Sequence, residues 1–142
     1  MTKTNSSSTV MSTATPSDTD LSMLLKLYES EHLHDAEQLA SSLIKKFPTH
    51  SFSWKVLGIV LSMNGKLSES LAVLRRSVQL APQDTEAHSN LGVVLQKLGE
   101  LDKASICYQK AISLNPNNFE AHNNLGGLLQ KIGELDEAEK LL

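Results

Sequence analysis

The chain has 142 residues, which is room for one ordinary domain or for a few copies of a small repeat. Its 13 Lys and Arg against 16 Asp and Glu give a formal net charge of −3, which argues against a nucleic-acid partner because phosphate contacts need clustered basic residues. A single cysteine excludes an intrachain disulfide and a cysteine-based zinc cage. The sequence shows neither an apolar stretch of about 20 residues nor a secretory signal, so we expect a cytoplasmic chain without a membrane partner.

The first sixteen residues differ from the rest in composition. Nine of the sixteen are Ser or Thr. Such a segment cannot bury enough apolar surface to offset the entropy lost on ordering it. We therefore expect residues 1–16 to form a disordered tail.

Residues 17–142 repeat with a period of 34. Residues 85–108 match residues 119–142 at 14 of 24 positions without a gap, and residues 51–84 match residues 85–118 at 8 of 34. Residues 17–50 keep only the apolar skeleton. The array therefore divides into units 17–50, 51–84 and 85–118 and an incomplete unit 119–142.

Each unit is predicted to consist of a helix, a tight turn, a second helix and a stop. Apolar residues recur at helical spacing, as in Trp54, Leu57 and Leu61. A glycine in the left-handed conformation is expected to end the first helix at Gly65, Gly99 and Gly133. A proline follows the second helix at Pro48, Pro82 and Pro116. The predicted helices span residues 18–29, 33–46, 51–63, 67–80, 85–97, 101–114, 119–131 and 135–142.

Small residues recur inside the helices. Gly58, Gly92 and Gly126 lie in mid-helix, where glycine costs roughly 0.5–1 kcal/mol relative to alanine. A cost repeated at one place predicts that another backbone passes close by.

The pattern resembles the tetratricopeptide repeat. The family signature is met by His88-x2-Leu91-Gly92-x2-Leu95, Ala104-x3-Tyr108 and Pro116, and less well by the equivalent residues of unit 51–84. The resemblance implies an all-α fold, a right-handed superhelical solenoid of about eight helices. Unit 17–50 departs most, since Glu31 stands in place of the turn glycine, as in the atypical capping units of solenoids.

No catalytic, cofactor-binding or metal-binding constellation is recognised. His88 and His122 stand where Trp54 stands in the preceding unit, which indicates packing. The thiol of Cys107 has no base placed beside it by spacing. We therefore expect no enzymatic activity from these residues and no cofactor.

The candidate binding residues are two asparagines and three lysines. Asn90 and Asn124 each precede a signature Leu-Gly, and an amide can bind a peptide backbone through both its donors and its acceptor. Resemblance to the arrays of O-linked N-acetylglucosamine transferases implies that they belong to an asparagine ladder inside the groove; solvated asparagines retained by repeat duplication are the alternative. Lys55, Lys97 and Lys131 are further groove candidates. Lys55 fits one position of the family's two-carboxylate clamp for acidic C-terminal peptides, but the asparagine required one turn later is absent, so we do not expect that clamp. Lys97 and Lys131 would still favour acidic ligands.

Two functions remain open from the sequence. The first is a protein–protein interaction scaffold that binds an extended peptide or a partner helix in its concave groove. The second is the N-terminal substrate-recognition array of a glycosyltransferase of the O-linked N-acetylglucosamine transferase type, or of a sulfotransferase, with catalysis beyond Leu142. Because no capping helix follows unit 119–142, we also expect self-association through the C-terminal end.

Overall fold

The computed structural model describes residues 14–140, and these residues are all-α, with seven helices and no strand. The helices are α1 (Asp18–Glu29), α2 (Leu33–Lys46), α3 (Ser51–Met63), α4 (Leu67–Leu80), α5 (Thr85–Lys97), α6 (Leu101–Leu114) and α7 (Phe119–Lys140). The bounds of α1 to α6 confirm the predicted helices. Most of the predicted tail, residues 1–13, lies outside the described residues.

The helices fall into two compact units, one within Met1–Leu80 and one within Ala81–Leu142. In the first, α1 to α4 enclose an apolar core. Its buried members are Leu24, Ala36, Ala40, Leu43, Val56, Leu57, Val60 and Leu61. In the second, α6 packs against both α5 and α7. The buried residues there include Leu91, Val94, Leu95, Tyr108 and Leu128.

The turn glycines behave as predicted in two of three places. Gly65 has φ 81° and Gly99 has φ 83°, the left-handed conformation that glycine adopts without steric cost. Glu31, which stands at the equivalent place in unit 17–50, adopts the same conformation with φ 61°. The first unit therefore makes the same turn with a residue that is strained in it.

The mid-helix glycines accommodate side chains, not the neighbouring backbone that the sequence predicted. A Cβ at Gly58 would overlap the side chain of Leu74, and a Cβ at Gly92 would lie 2.6 Å from Cε1 of Tyr108. At Gly126 nothing lies within 4 Å of the same position. Close packing on this glycine is therefore a property of the second and third repeats.

The predicted break at Gly133 is wrong, since α7 runs as one helix of 22 residues through it. A helix at 135–142 does not form separately, and the described chain has seven helices where about eight were predicted.

Helical spacing gives a physical reason for the continuous helix. Ala121, Leu128, Ile132 and Leu135 are spaced by seven, four and three residues, which places them on one face of a straight helix. Ile132 and Leu135 then line a cavity of about 340 Å³ beside the α5–α6 turn, together with Gly99, Glu100, Leu101, Asp102, Asp136 and Glu139. The continuous helix keeps Ile132 and Leu135 on the face that carries the buried Leu128.

The leucines of α7 are covered unevenly. Leu128 is fully buried, whereas Leu129 is 53% and Leu135 49% exposed. Leu129 and Leu135 lie six residues apart and therefore on different sides of the helix. They form no common apolar stripe, and self-association stays a prediction; Leu141 and Leu142 lie outside the described residues.

Candidate functional site

A cavity of about 310 Å³ in the compact unit Ala81–Leu142 is lined by polar side chains from all three helices of that unit. Its lining residues are Val93, Gln96 and Lys97 of α5, Tyr108 of α6, and Asn124 and Lys131 of α7. Val93 and Lys97 lie one helical turn apart, and Asn124 and Lys131 lie two turns apart. Each pair therefore shares one face of its helix, and the 34-residue period makes Lys97 and Lys131 equivalent.

Tyr108 anchors one wall of the cavity. Tyr108 is 1% exposed, its ring lies against Gly92, and its hydroxyl donates a hydrogen bond to Oε1 of Gln96 at 2.9 Å. Burial, with smaller contributions from Cys107 and Glu120, raises the pKa of Tyr108 to about 12, so the phenol remains a neutral donor. Because the carbonyl oxygen of Gln96 is engaged, its NH₂ group is the part of the amide left to meet a ligand.

The two ladder asparagines share an unusual state. Nδ2 of Asn90 and Nδ2 of Asn124 are both buried, and neither has a hydrogen-bond partner among the described residues. A buried donor without an acceptor costs about 1–3 kcal/mol. The same cost at the same position of consecutive repeats calls for an explanation in terms of a ligand or a water molecule.

The charge of the cavity is one-sided. Two of its six lining residues are lysines, and none carries a carboxylate. Lysine offers only donors. The lining thus presents two lysine side chains together with the amides of Gln96 and Asn124.

The structure thus brings three of the five predicted site residues together: Lys97, Asn124 and Lys131. Asn90 lies one turn before Val93 on α5 but does not line the cavity. Lys55 belongs to the other compact unit, Met1–Leu80, and is 9% exposed. Its Nζ lies 5.6 Å from the ring centroid of Phe52, a cation–π distance.

Sequence reasoning missed Gln96, Tyr108 and Val93 as parts of this site. A signal for Gln96 was present, since Gln96 and Gln130 precede the two equivalent lysines at the same spacing of 34. Tyr108 was recognised only as the aromatic residue of the repeat signature. Its hydrogen bond to Gln96 joins two helices and has no mark in the sequence.

The residues at the signature tryptophan position have a common structural role. Nε1 of Trp54 donates to the carbonyl of Pro48, and Nε2 of His88 lies 2.9 Å from the carbonyl of Pro82. His122 makes the same 2.9 Å contact with the carbonyl of Pro116. Since a carbonyl only accepts, each ring nitrogen donates. These rings fasten the start of one repeat to the loop before it.

Residues 14–140 hold no group of three or more His, Cys, Asp or Glu side chains placed to bind a metal ion. Within the same range no helix is long and apolar enough to cross a membrane.

Comparison with family models identifies the repeats. Two models described as tetratricopeptide repeat match residues 85–118 and 107–140, and a model described as TPR repeat matches residues 63–99. A search of curated proteins finds no match.

Solved structures show the same fold. The first TPR of Spaghetti (RPAP3) bound to an HSP90 peptide superposes with a TM-score of 0.78 at 21% identity, over 84% of this chain and 97% of that one. MamA from Desulfovibrio magneticus RS-1 gives 0.74 at 25%, over 84% and 67%. A Thermobaculum terrenum O-GlcNAc transferase mutant gives 0.75 at 26% over 78% of this chain, which spans only 21% of the transferase chain.

Proposed function

The chain belongs to the tetratricopeptide repeat family, and from that premise we propose that it is a protein–protein interaction scaffold that binds an extended peptide or a partner helix. The binding site is the cavity between α5, α6 and α7. The observation that carries the proposal is the buried, unpartnered Nδ2 of Asn124 in a cavity that also holds Lys97 and Lys131.

An extended peptide suits this donor arrangement. Its backbone offers a carbonyl acceptor at every residue, at intervals of about 3.3–3.6 Å. Asn90 and Asn124 occupy the same place in consecutive repeats, so one peptide segment that passes both would meet an amide in each. Each of these amides carries an Nδ2 donor without a partner among the described residues.

Useful affinity for a peptide requires more than the hydrogen bonds of the two amides. Each neutral hydrogen bond contributes about 0.5–1.5 kcal/mol net, whereas millimolar affinity already needs about 4.1 kcal/mol. The lysines therefore have to take part, and so does apolar contact such as Val93 provides. A binding site of this kind discriminates by its charged groups and uses the amides to hold the backbone.

Selection from a random peptide library on the full chain tests the proposal. Binding of a selected peptide is then followed by fluorescence polarisation for the parent chain, Asn124→Ala and Asn123→Ala. Asn123 is an exposed neighbour on α7 that does not line the cavity. We expect weaker binding by Asn124→Ala and unchanged binding by Asn123→Ala. Equal binding by both variants would show that the cavity is not the peptide-binding site.

The alternative function is substrate recognition for a glycosyltransferase of the O-linked N-acetylglucosamine transferase type or for a sulfotransferase. It is favoured by the likeness to the transferase array and by the pair Asn90 and Asn124. Because the likeness spans about a fifth of the transferase chain, it concerns the array alone. Reading the coding frame past Leu142 separates the two functions.

A further inference from the structure

We infer that the groove beside the α5–α6 turn is a docking surface for a basic amphipathic helix of a partner protein. This turn groove is the cavity of about 340 Å³ that lies between residues 99–102 and the second half of α7. It shares no lining residue with the cavity assigned to the peptide. The inference therefore adds a second surface and does not depend on the proposed function.

The apolar side chains of α7 lose their cover along the turn groove. Leu128 is fully buried, Ile132 is half-buried and Leu135 is 49% exposed, and all three lie on one face of the helix. The half-buried Leu101 lines the groove together with Ile132 and Leu135. The packing on this face of α7 thus ends before its apolar residues end, and an apolar side chain of a partner would continue it.

Every charged residue that lines the turn groove is acidic. Each wall supplies two carboxylates: Glu100 and Asp102 lie at the turn and the start of α6, and Asp136 and Glu139 lie on α7. Glu100 has a loose ion pair with Lys103, with Oε2 3.7 Å from Nζ, and Lys103 lies outside the lining. The other three carboxylates have no ion pair with any residue that the structure describes. Apolar residues between two acidic walls are complementary to an apolar stripe with cations on both sides.

The equivalent turn in the preceding repeat engages a charge of the opposite sign. Lys66 stands 34 residues before Glu100, and its Nζ lies 2.8 Å from Oε2 of Glu37 in the neighbouring repeat. At the α5–α6 turn the sign is reversed, and the ion pair of Glu100 with Lys103 stays within three residues of the same segment. A cation supplied by a partner would give this turn the kind of ion pair that Lys66 forms within the chain.

The arrangement of the carboxylates favours the side chains of a protein over a metal ion. Residues 14–140 hold no group of three or more potential metal ligands placed to bind one ion, so the four carboxylates do not converge on a point. Lysine and arginine side chains reach separate carboxylates. A helix presents such cations on both flanks of an apolar stripe, whereas successive side chains of a strand point to opposite faces. A basic amphipathic helix is therefore the occupant that matches both the apolar residues and the two acidic walls.

Titration of the full chain with matched peptides of sixteen residues, followed by ¹⁵N–¹H NMR, tests the inference. The parent peptide is alanine-rich and helical, with leucines at positions i, i+4 and i+7 and lysines on both flanks of the leucine stripe. Three variants replace every lysine by Gln, every lysine by Glu, or every leucine by Ala. The amide signal of Gly99, which lines the groove, reports binding, and that of Gly65, the equivalent glycine of the preceding turn, is the internal reference.

We expect the parent peptide to shift the signal of Gly99 and to leave that of Gly65 unchanged. It should bind at least about tenfold more tightly than the Gln variant, because only the lysines pair with the carboxylates, and than the Ala variant, because burial of leucine drives helix docking. The Glu variant should not bind. The preference for lysine should fall as salt is raised.

Substitutions in the chain locate the binding surface. Leu135→Gln should weaken binding of the parent peptide about tenfold, whereas Leu129→Gln, at a similarly exposed leucine outside the groove, should not. Asp136→Lys should shift the preference towards the Glu peptide. Glu120→Lys makes the same charge change on an exposed residue about 24 Å away along α7 and should leave the preference in place. Unchanged circular dichroism of each variant shows that a loss of binding is not a loss of fold.

Four outcomes overturn the inference. Equal binding of the parent peptide and its Gln or Ala variant would show that the groove does not select a basic apolar helix. Displacement of the parent peptide by calcium chloride at constant ionic strength would assign the carboxylates to a metal ion. Equal binding of a parent peptide with a central proline would assign the groove to an extended segment. Absence of binding by every peptide would remove the docking surface, while the proposed function would still be decided by the library selection.

Discussion

The ring of Tyr108 occupies the space that a side chain at position 92 would need: a Cβ built on Gly92 would lie 2.6 Å from Cε1 of Tyr108. This contact fixes the spacing of α5 and α6 and, at the same time, the place from which the phenol reaches Gln96. The glycine of the repeat signature therefore supports both the packing of the third repeat and the wall of the candidate site.

Gly92→Ala and Gly126→Ala should have opposite effects on stability. The first forces a methyl group against a buried ring and should lower the free energy of unfolding by about 1–3 kcal/mol. The second adds a methyl group where nothing lies within 4 Å, so the gain in helix propensity should raise stability by about 0.5–1 kcal/mol. Urea unfolding followed by circular dichroism measures both. Destabilisation of similar size at the two positions would show that the space at Gly126 is filled.

Glu31→Gly should stabilise the first unit. Glu31 holds φ 61°, which costs a residue with a side chain about 1–2 kcal/mol. Glycine removes most of that strain, less the entropy it adds to the unfolded chain, so a gain of about 1 kcal/mol is expected in urea unfolding. Glu29→Gly, within α1, is the matched control and should instead be destabilising. A loss of stability at both positions would argue that Glu31 is unstrained.

The stability of the first unit should fall in mild acid because of His50. Nδ1 of His50 accepts from the hydroxyl of Ser53 at 2.8 Å and caps α3 through the Ser53 N–H. Protonation of Nδ1 removes both hydrogen bonds. Burial lowers the pKa of His50 below the ordinary 6.5. The folded state therefore binds fewer protons than the unfolded state, so the stabilisation is complete above about pH 6.5 and is lost as the pH falls through the lowered folded value.

His50→Asn isolates that contribution. Asp84 and Asn118 hold the same capping position before α5 and α7, where each accepts a backbone N–H. Asparagine at position 50 should keep the cap and not titrate. The urea midpoint of the variant should depend less on pH between 5 and 7.5 than that of the parent. Identical pH profiles would assign the acid sensitivity to other groups.

The repeat predicts most of the fold because the residues that end its helices act through local backbone conformation. Gly65 and Gly99 end helices by backbone conformation and prolines stop them, so α1 to α6 need no tertiary information. Lys97, Lys131 and Asn124 are likewise placed on shared faces by the 34-residue period. The bond between Tyr108 and Gln96 escapes prediction because it depends on how far apart two helices pack.

Gly133 is the position where the local signal and the tertiary structure disagree, and its substitution tests which of them decides. Its surroundings repeat those of Gly99, yet α7 continues through it, while Gly99 has φ 83°. A glycine accepts either conformation, so the residue type at position 133 does not by itself decide between them.

In a continuous helix, Gly133→Ala should raise stability by up to about 1 kcal/mol and slow amide exchange in residues 130–140. In a hairpin, the same change would be destabilising, because alanine resists positive φ. Gly99→Ala supplies the reference for that second case and should be destabilising. If Gly133→Ala behaves like Gly99→Ala, the chain reverses at Gly133 and the extended α7 is not its stable form.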